Sequence, residues 1–83
     1  MIKVLMLGHG VAGRVADARF ITVQLHTPEG APPVLTLCVV TDQERDYDLH
    51  VGETFPVLGD TWRLDRIDGI DTEDWQAILR KVE

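Results

Sequence analysis

The chain contains no serine, which excludes a serine nucleophile and its triad outright. It has one cysteine, so no disulfide can form within it. Cys38 sits in the run Val34-Leu35-Thr36-Leu37-Cys38-Val39-Val40. A free thiol among such neighbours behaves as a small hydrophobe, whereas a reactive one wants a cationic neighbour or a helix N-terminus. Basic residues are also scarce: 8 Lys and Arg stand against 14 Asp and Glu, a net charge of −6. That charge repels duplex DNA and anionic membranes at long range, so neither nucleic acid nor a membrane is an expected partner. Long apolar runs are missing as well. Val4-Leu5-Met6-Leu7 stops at Gly8 and His9, too short for the core of a signal peptide, although Ala16-Asp17-Ala18 imitates a cleavage site. No window approaches the length of a membrane-spanning helix. The expected location is the cytoplasm, and the single thiol is compatible with a reducing compartment.

Aromatic residues make up only 6% of the chain, and most fall in a stretch that reads as architecture. Thr54-Phe55-Pro56-Val57-Leu58 and Thr61-Trp62-Arg63-Leu64 flank Gly59-Asp60, the signal of a two-residue hairpin with Gly in a type II′ turn. Pro56 cannot donate a ladder hydrogen bond, so its strand is expected at an edge or a bulge. Trp62 and Leu64 share a face that Ile67 misses by parity, and a bulge near Asp65-Arg66 would bring all three inside. Beyond this, Asp71 or Thr72 can cap a helix whose first turn holds Glu73 and Asp74 and whose last holds Arg80 and Lys81. Trp75, Ile78, Leu79 and Val82 fall at i, i+3, i+4 and i+7, which predicts an amphipathic helix over 72–82.

Upstream, the patterning predicts strands over 2–7 (buried on both faces), over 14–27 (long and bent) and over 34–41, joining those over 54–58 and 61–67. Residues 42–48 read as a polar, acidic connection. A chain of 83 residues has room for a single domain, 1–83, which buries only about 60–65% of its unfolded surface. The expected fold class is mostly β (α+β): a small curled antiparallel sheet or open β-barrel of about five strands, closed by one C-terminal amphipathic helix.

Few patterns carry chemistry. Gly8-His9-Gly10-Val11-Ala12-Gly13 has the G-x-G-x-x-G spacing of a dinucleotide loop, but Phe20-Ile21-Thr22-Val23 follows where an amphipathic helix should open. A glycine-rich hairpin loop is the better reading, and no cofactor is expected. The segment 42–53 places Asp42, Glu44, Asp46 and Glu53 at positions 1, 3, 5 and 12 of a twelve-residue calcium loop. Tyr47 then occupies the sixth position, where Gly must turn the chain, and Arg45 puts a positive charge in the cage. These four carboxylates are the weak metal candidates; the alternative is an acidic turn with Tyr47 packed against the core. His9, His26 and His50 lie in three segments with no zinc-ligand spacing. Trp62 and Trp75 could stack on a ligand, though core packing explains them better.

The run Val51-Gly52-Glu53-Thr54-Phe55, continued by Gly59-Asp60-Thr61-Trp62-Arg63-Leu64-Asp65-Arg66-Ile67, resembles a family of small uncharacterised actinobacterial proteins, a domain of unknown function. Six Arg against two Lys suits a high-GC genome. The resemblance implies a stand-alone bacterial domain and no particular site. The expected function is that of a non-catalytic cytoplasmic protein-interaction module, binding a protein partner or itself through an edge strand, and not an enzyme. The alternative is a small-molecule or calcium-binding domain using the acidic 42–53 segment.

Overall fold

The structure is a computed structural model that describes residues 4–82. Every regular element among these residues is a strand: β1 Val4–Gly8, β2 Ala12–Val15, β3 Ala18–His26, β4 Val34–Val40, β5 Glu44–Leu49, β6 Thr54–Val57, β7 Asp60–Asp68 and β8 Gln76–Val82. They form two antiparallel four-stranded sheets, β1-β8-β7-β6 and β2-β3-β4-β5. Each is a meander, and β8 returns to pair with β1, so the chain runs up and down around a flattened barrel open at two seams. The α+β class with five strands is thus corrected to an all-β sandwich.

The largest correction is the helix expected over 72–82, which is strand β8. Its alternate residues Ala77 and Leu79 are fully buried on the inner face, while Ile78 is 2% exposed on the outer one. Ile78 is the one buried residue on an outer face that otherwise exposes Gln76, Arg80 and Val82, and its apolar side chain interrupts the alternation. Ile78 and Leu79 can then be read with Trp75 and Val82 as a helical stripe, although Trp75, Ala77 and Leu79 also alternate. The apparent cap serves a turn: Thr72 donates its N–H (2.9 Å) and Oγ1 (2.8 Å) to Gly69 O, and its Oγ1 accepts from Asp74 N (3.2 Å).

The strand expected over 14–27 is two strands joined by the tight turn Ala16-Asp17, with Val15 opposite Ala18. A bulge at Val23 shifts the register, so Phe20, Thr22 and Leu25 face inward while Ile21 faces out beside Cys38. The acidic connection over 42–48 is largely strand β5. Tyr47 and Leu49 face the core, and Glu44, Asp46 and Asp48 face water. Strand β1 lies at a sheet edge with Val4 and Met6 exposed, so it is covered on one face only; residues 2 and 3 lie outside the described residues.

Two local features do follow the sequence. Pro56 lies on β6, an edge strand, and the ladder between β7 and β8 slips between Leu64 and Arg66. That bulge at Asp65 brings Trp62, Leu64 and Ile67 to one core. The hairpin itself is displaced by one residue. Val57 pairs with Asp60, so Leu58 and Gly59 form the turn, both with positive φ (49° and 81°), as in type I′.

The inner faces interlock in an aromatic cluster. Phe20 meets Trp62 (5.2 Å) and Phe55 (6.2 Å) edge-on, and Tyr47 packs on Phe55 (5.6 Å). Gly13 lets β2 approach β1: a Cβ there would lie 2.6 Å from a Leu7 methyl.

Candidate functional site

An up-and-down meander gathers its connections at two ends. One end carries the longer loops around His9, 27–33, 50–53 and 69–75; the other carries the turns 16–17, 41–43 and 58–59. At the tight-turn end a pocket of about 410 Å³ opens between the Ala16 and Leu58 turns. Its floor is the core itself: Ala18, Phe20, Val57 and Trp62, none more than 5% exposed. Ligand pockets commonly run to about 300–1,000 Å³ and are lined mostly by apolar side chains with a few polar ones.

The polar element of this mouth is Lys81, whose Nζ lies 3.4 Å from an Asp60 carboxylate oxygen. Lys81 pairs with Trp62 across the ladder, a position on the inner face where Ala77 and Leu79 precede it. The last inward position of β8 thus places an ammonium at the rim of an apolar pocket.

Backbone strain marks the same place. Ala16 (φ 53°) and Leu58 (φ 49°) are the only non-glycine residues at positive φ among those described, and both line the pocket. A left-handed residue with a Cβ costs roughly 1–2 kcal/mol, and such residues gather at ligand clamps. Leu58 is also 57% exposed, so burial of its own side chain does not offset that cost.

Beside the mouth, β5 and β6 diverge from their shared connection at 50–53. The seam between them is a groove of about 230 Å³, lined by Thr41, Asp42, Gln43, Arg45 and Tyr47 on one side and Pro56, Val57 and Leu58 on the other. Val57 and Leu58 belong to both cavities.

The residues singled out from sequence go elsewhere. Asp42 lines the seam groove, Glu44 and Asp46 lie along the outer face of β5, and Glu53 lies beyond the far end of that strand. An extended strand runs through the would-be calcium loop, so the four carboxylates are not brought together; no metal-holding group of three or more His, Cys, Asp or Glu exists among the described residues. Hydrogen bonds from the His50 backbone N–H (2.6 Å) and ring (3.1 Å) hold the Glu53 carboxyl below its ordinary range.

Cys38 is buried on the outer face between Ile21 and Asp46. Burial, with Asp46 and Glu44 nearby, pushes its thiol up to about 11. The G-x-G-x-x-G segment is the turn that carries the chain from β1 in one sheet to β2 in the other, and not a hairpin loop, because those two strands do not pair. Buried Thr22 pins it, donating to Gly8 O (2.5 Å) and accepting from Gly10 N (3.1 Å). Trp75 and His9 close that end, their rings 5.5 Å apart. A wider recess of about 590 Å³ there is lined largely by the polar loop Thr72-Glu73-Asp74 and stops at Trp75. Both tryptophans pack in the core, Trp62 also forming the floor of the mouth. Sequence reasoning missed Val15, Ala16, Leu58 and Lys81; the one available signal was a lysine on the inward parity of β8.

Fold and site together define a small all-β sandwich with an apolar mouth at its tight-turn end. The chain belongs to the Family of unknown function (DUF6406), whose family model matches residues 3–83. This agrees with the resemblance to an uncharacterised domain family. No curated protein and no solved structure matches the chain.

Proposed function

We propose that the protein is a non-catalytic binding domain that takes a small apolar molecule into the mouth at the tight-turn end. The observation that carries this reading is the coincidence of an apolar pocket reaching Phe20 and Trp62 with two strained turn residues at its rim. A cytoplasmic setting suits the one thiol, which is buried and whose pKa is raised, so it is a poor nucleophile. Calorimetric titration with decanol tests the proposal. Saturable one-to-one binding with a negative heat-capacity change is expected, and Val15→Trp, which fills the mouth, should abolish it while the chain stays folded. No saturable heat with decanol would refute the reading.

A protein-interaction role is favoured by a different surface. The outer face of the β1-β8-β7-β6 sheet exposes Val4, Met6 and Val82 beside Arg63, Arg66 and Arg80. The edge of β6 is a poorer docking strand. Val57 and Asp60 close the two-residue turn, so position 56 directs its backbone into the seam, where proline offers no donor. Sedimentation velocity with the wild type and Met6→Glu checks this second reading: a dimer lost on substitution supports it, and a monomer at all concentrations argues against self-association.

A further inference from the structure

We propose that the mouth receives a single-chain amphiphile with an anionic head, its tail in the apolar pocket and its head held by Arg45 in the groove between β5 and β6. This inference rests on the reading of the mouth as a ligand site.

Arg45 stands opposite Val39 on the inward parity of β5, the same parity as Tyr47 and Leu49. A guanidinium at a core-facing position is unusual, and here it is accommodated because β5 and β6 have separated and the groove opens to water. The other arginines on the opposite sheet are occupied by carboxylates. Arg63 (3.1 Å), Arg66 (3.7 Å) and Arg80 (3.9 Å) converge on Asp65, and Arg66 also reaches Asp68 (3.0 Å). Arg45 has only a neutral partner among the described residues, Gln43 Oε1 at 3.4 Å. Its fork of donors is therefore free to take two oxygens of a carboxylate or phosphate.

Geometry links head to tail. The groove and the apolar pocket share Val57 and Leu58, so one unbranched chain can cross the Leu58 turn from one to the other. This also gives Leu58 a role that its strained, exposed conformation otherwise lacks: it is the saddle between the two cavities. A peptide is a worse occupant of the seam, because Pro56 removes a backbone donor from it. The net charge of −6 slows the approach of an anion, so the selectivity must come from contacts inside the groove.

The test is a titration of the full chain with decanol, decanoate, decyl phosphate and decylamine, each below its micelle concentration, repeated on Arg45→Gln. Decanoate or decyl phosphate should bind about tenfold more tightly than decanol, the scale of a charge-assisted hydrogen bond. Whichever of the two binds better names the head group. Arg45→Gln should erase the preference and leave decanol affinity unchanged, which also shows that the variant is folded. Decanol binding with no anionic preference, or decylamine binding as tightly as the anions, would overturn the inference while leaving the apolar site standing. No binding by any of the four would remove both.

Discussion

The two ends of the sandwich solve the problem of turning a chain in opposite ways. The long-loop end is irregular but satisfied. Thr22 ties Gly8 and Gly10, Thr72 ties Gly69 and Asp74, and Trp75 with His9 closes the top. The tight-turn end is regular but strained, with Ala16 and Leu58 held left-handed over a pocket that reaches the core. Loop length is therefore no guide to function here. The irregular segments are tied down by hydrogen bonds and packing, and the proposed site lies where the shortest turns carry side chains that a stability-driven sequence would replace with Gly or Asn.

The comparison can be broken most sharply at Trp75. If it seals the long-loop end, Trp75→Ala should cost about 3–5 kcal/mol in urea denaturation; a loss below about 1 kcal/mol would mean that this end is open too. At Thr22 the expected effect is smaller. Thr22→Val keeps the shape and strands the Gly10 N–H and Gly8 carbonyl, costing about 1–3 kcal/mol by the same measurement.

At the opposite end the sign should reverse. Leu58→Asn creates an Asn-Gly type I′ turn and should raise stability by about 1 kcal/mol. In the same variant decanol affinity should fall, because Leu58 walls the pocket. A stabilised variant that binds as well as the wild type would strip Leu58 of its role.

The smallest effect belongs to neither end. Folding keeps the Cys38 proton up to about pH 11 against an ordinary value of 9.0. Above pH 9 the unfolded chain therefore binds fewer protons than the folded one, and stability should fall as pH rises. Cys38→Val should flatten that decline in pH-dependent melting.

How far the sequence exposed this fold depends on the element. Pro56 announced an edge or a bulge, of which the structure takes the edge, and the parity clash between Leu64 and Ile67 announced a bulge, because each is a local conflict that few geometries resolve. Strand β5 was hidden by composition. Glu44, Asp46 and Asp48 are poor strand formers, yet they alternate with Tyr47 and Leu49, and burial of those two decides the matter. Strand β8 was hidden by Ile78, an apolar residue buried on the outer face between exposed Gln76 and Arg80, which interrupts the alternation. The turn at Ala16-Asp17 was hidden because it contains no glycine.

The mouth was less legible still. Val15, Leu58 and Lys81 come from three strand ends far apart in the chain, and their proximity is a product of the meander rather than of any spacing. Reading 72–82 as a helix made Lys81 an unremarkable last-turn cation. Only as the last inward residue of β8 does it become a charge at the rim of an apolar pocket.

The central claim, that the tight-turn end is the site and the long-loop end its structural counterpart, is tested most directly by mapping backbone amide shifts during a decanol titration. The account predicts saturable shifts confined to residues around Val15–Phe20, Val57–Trp62 and Lys81, with those around Gly8–Val11 and Thr72–Gln76 unmoved. Shifts centred on His9 and Trp75 would contradict it.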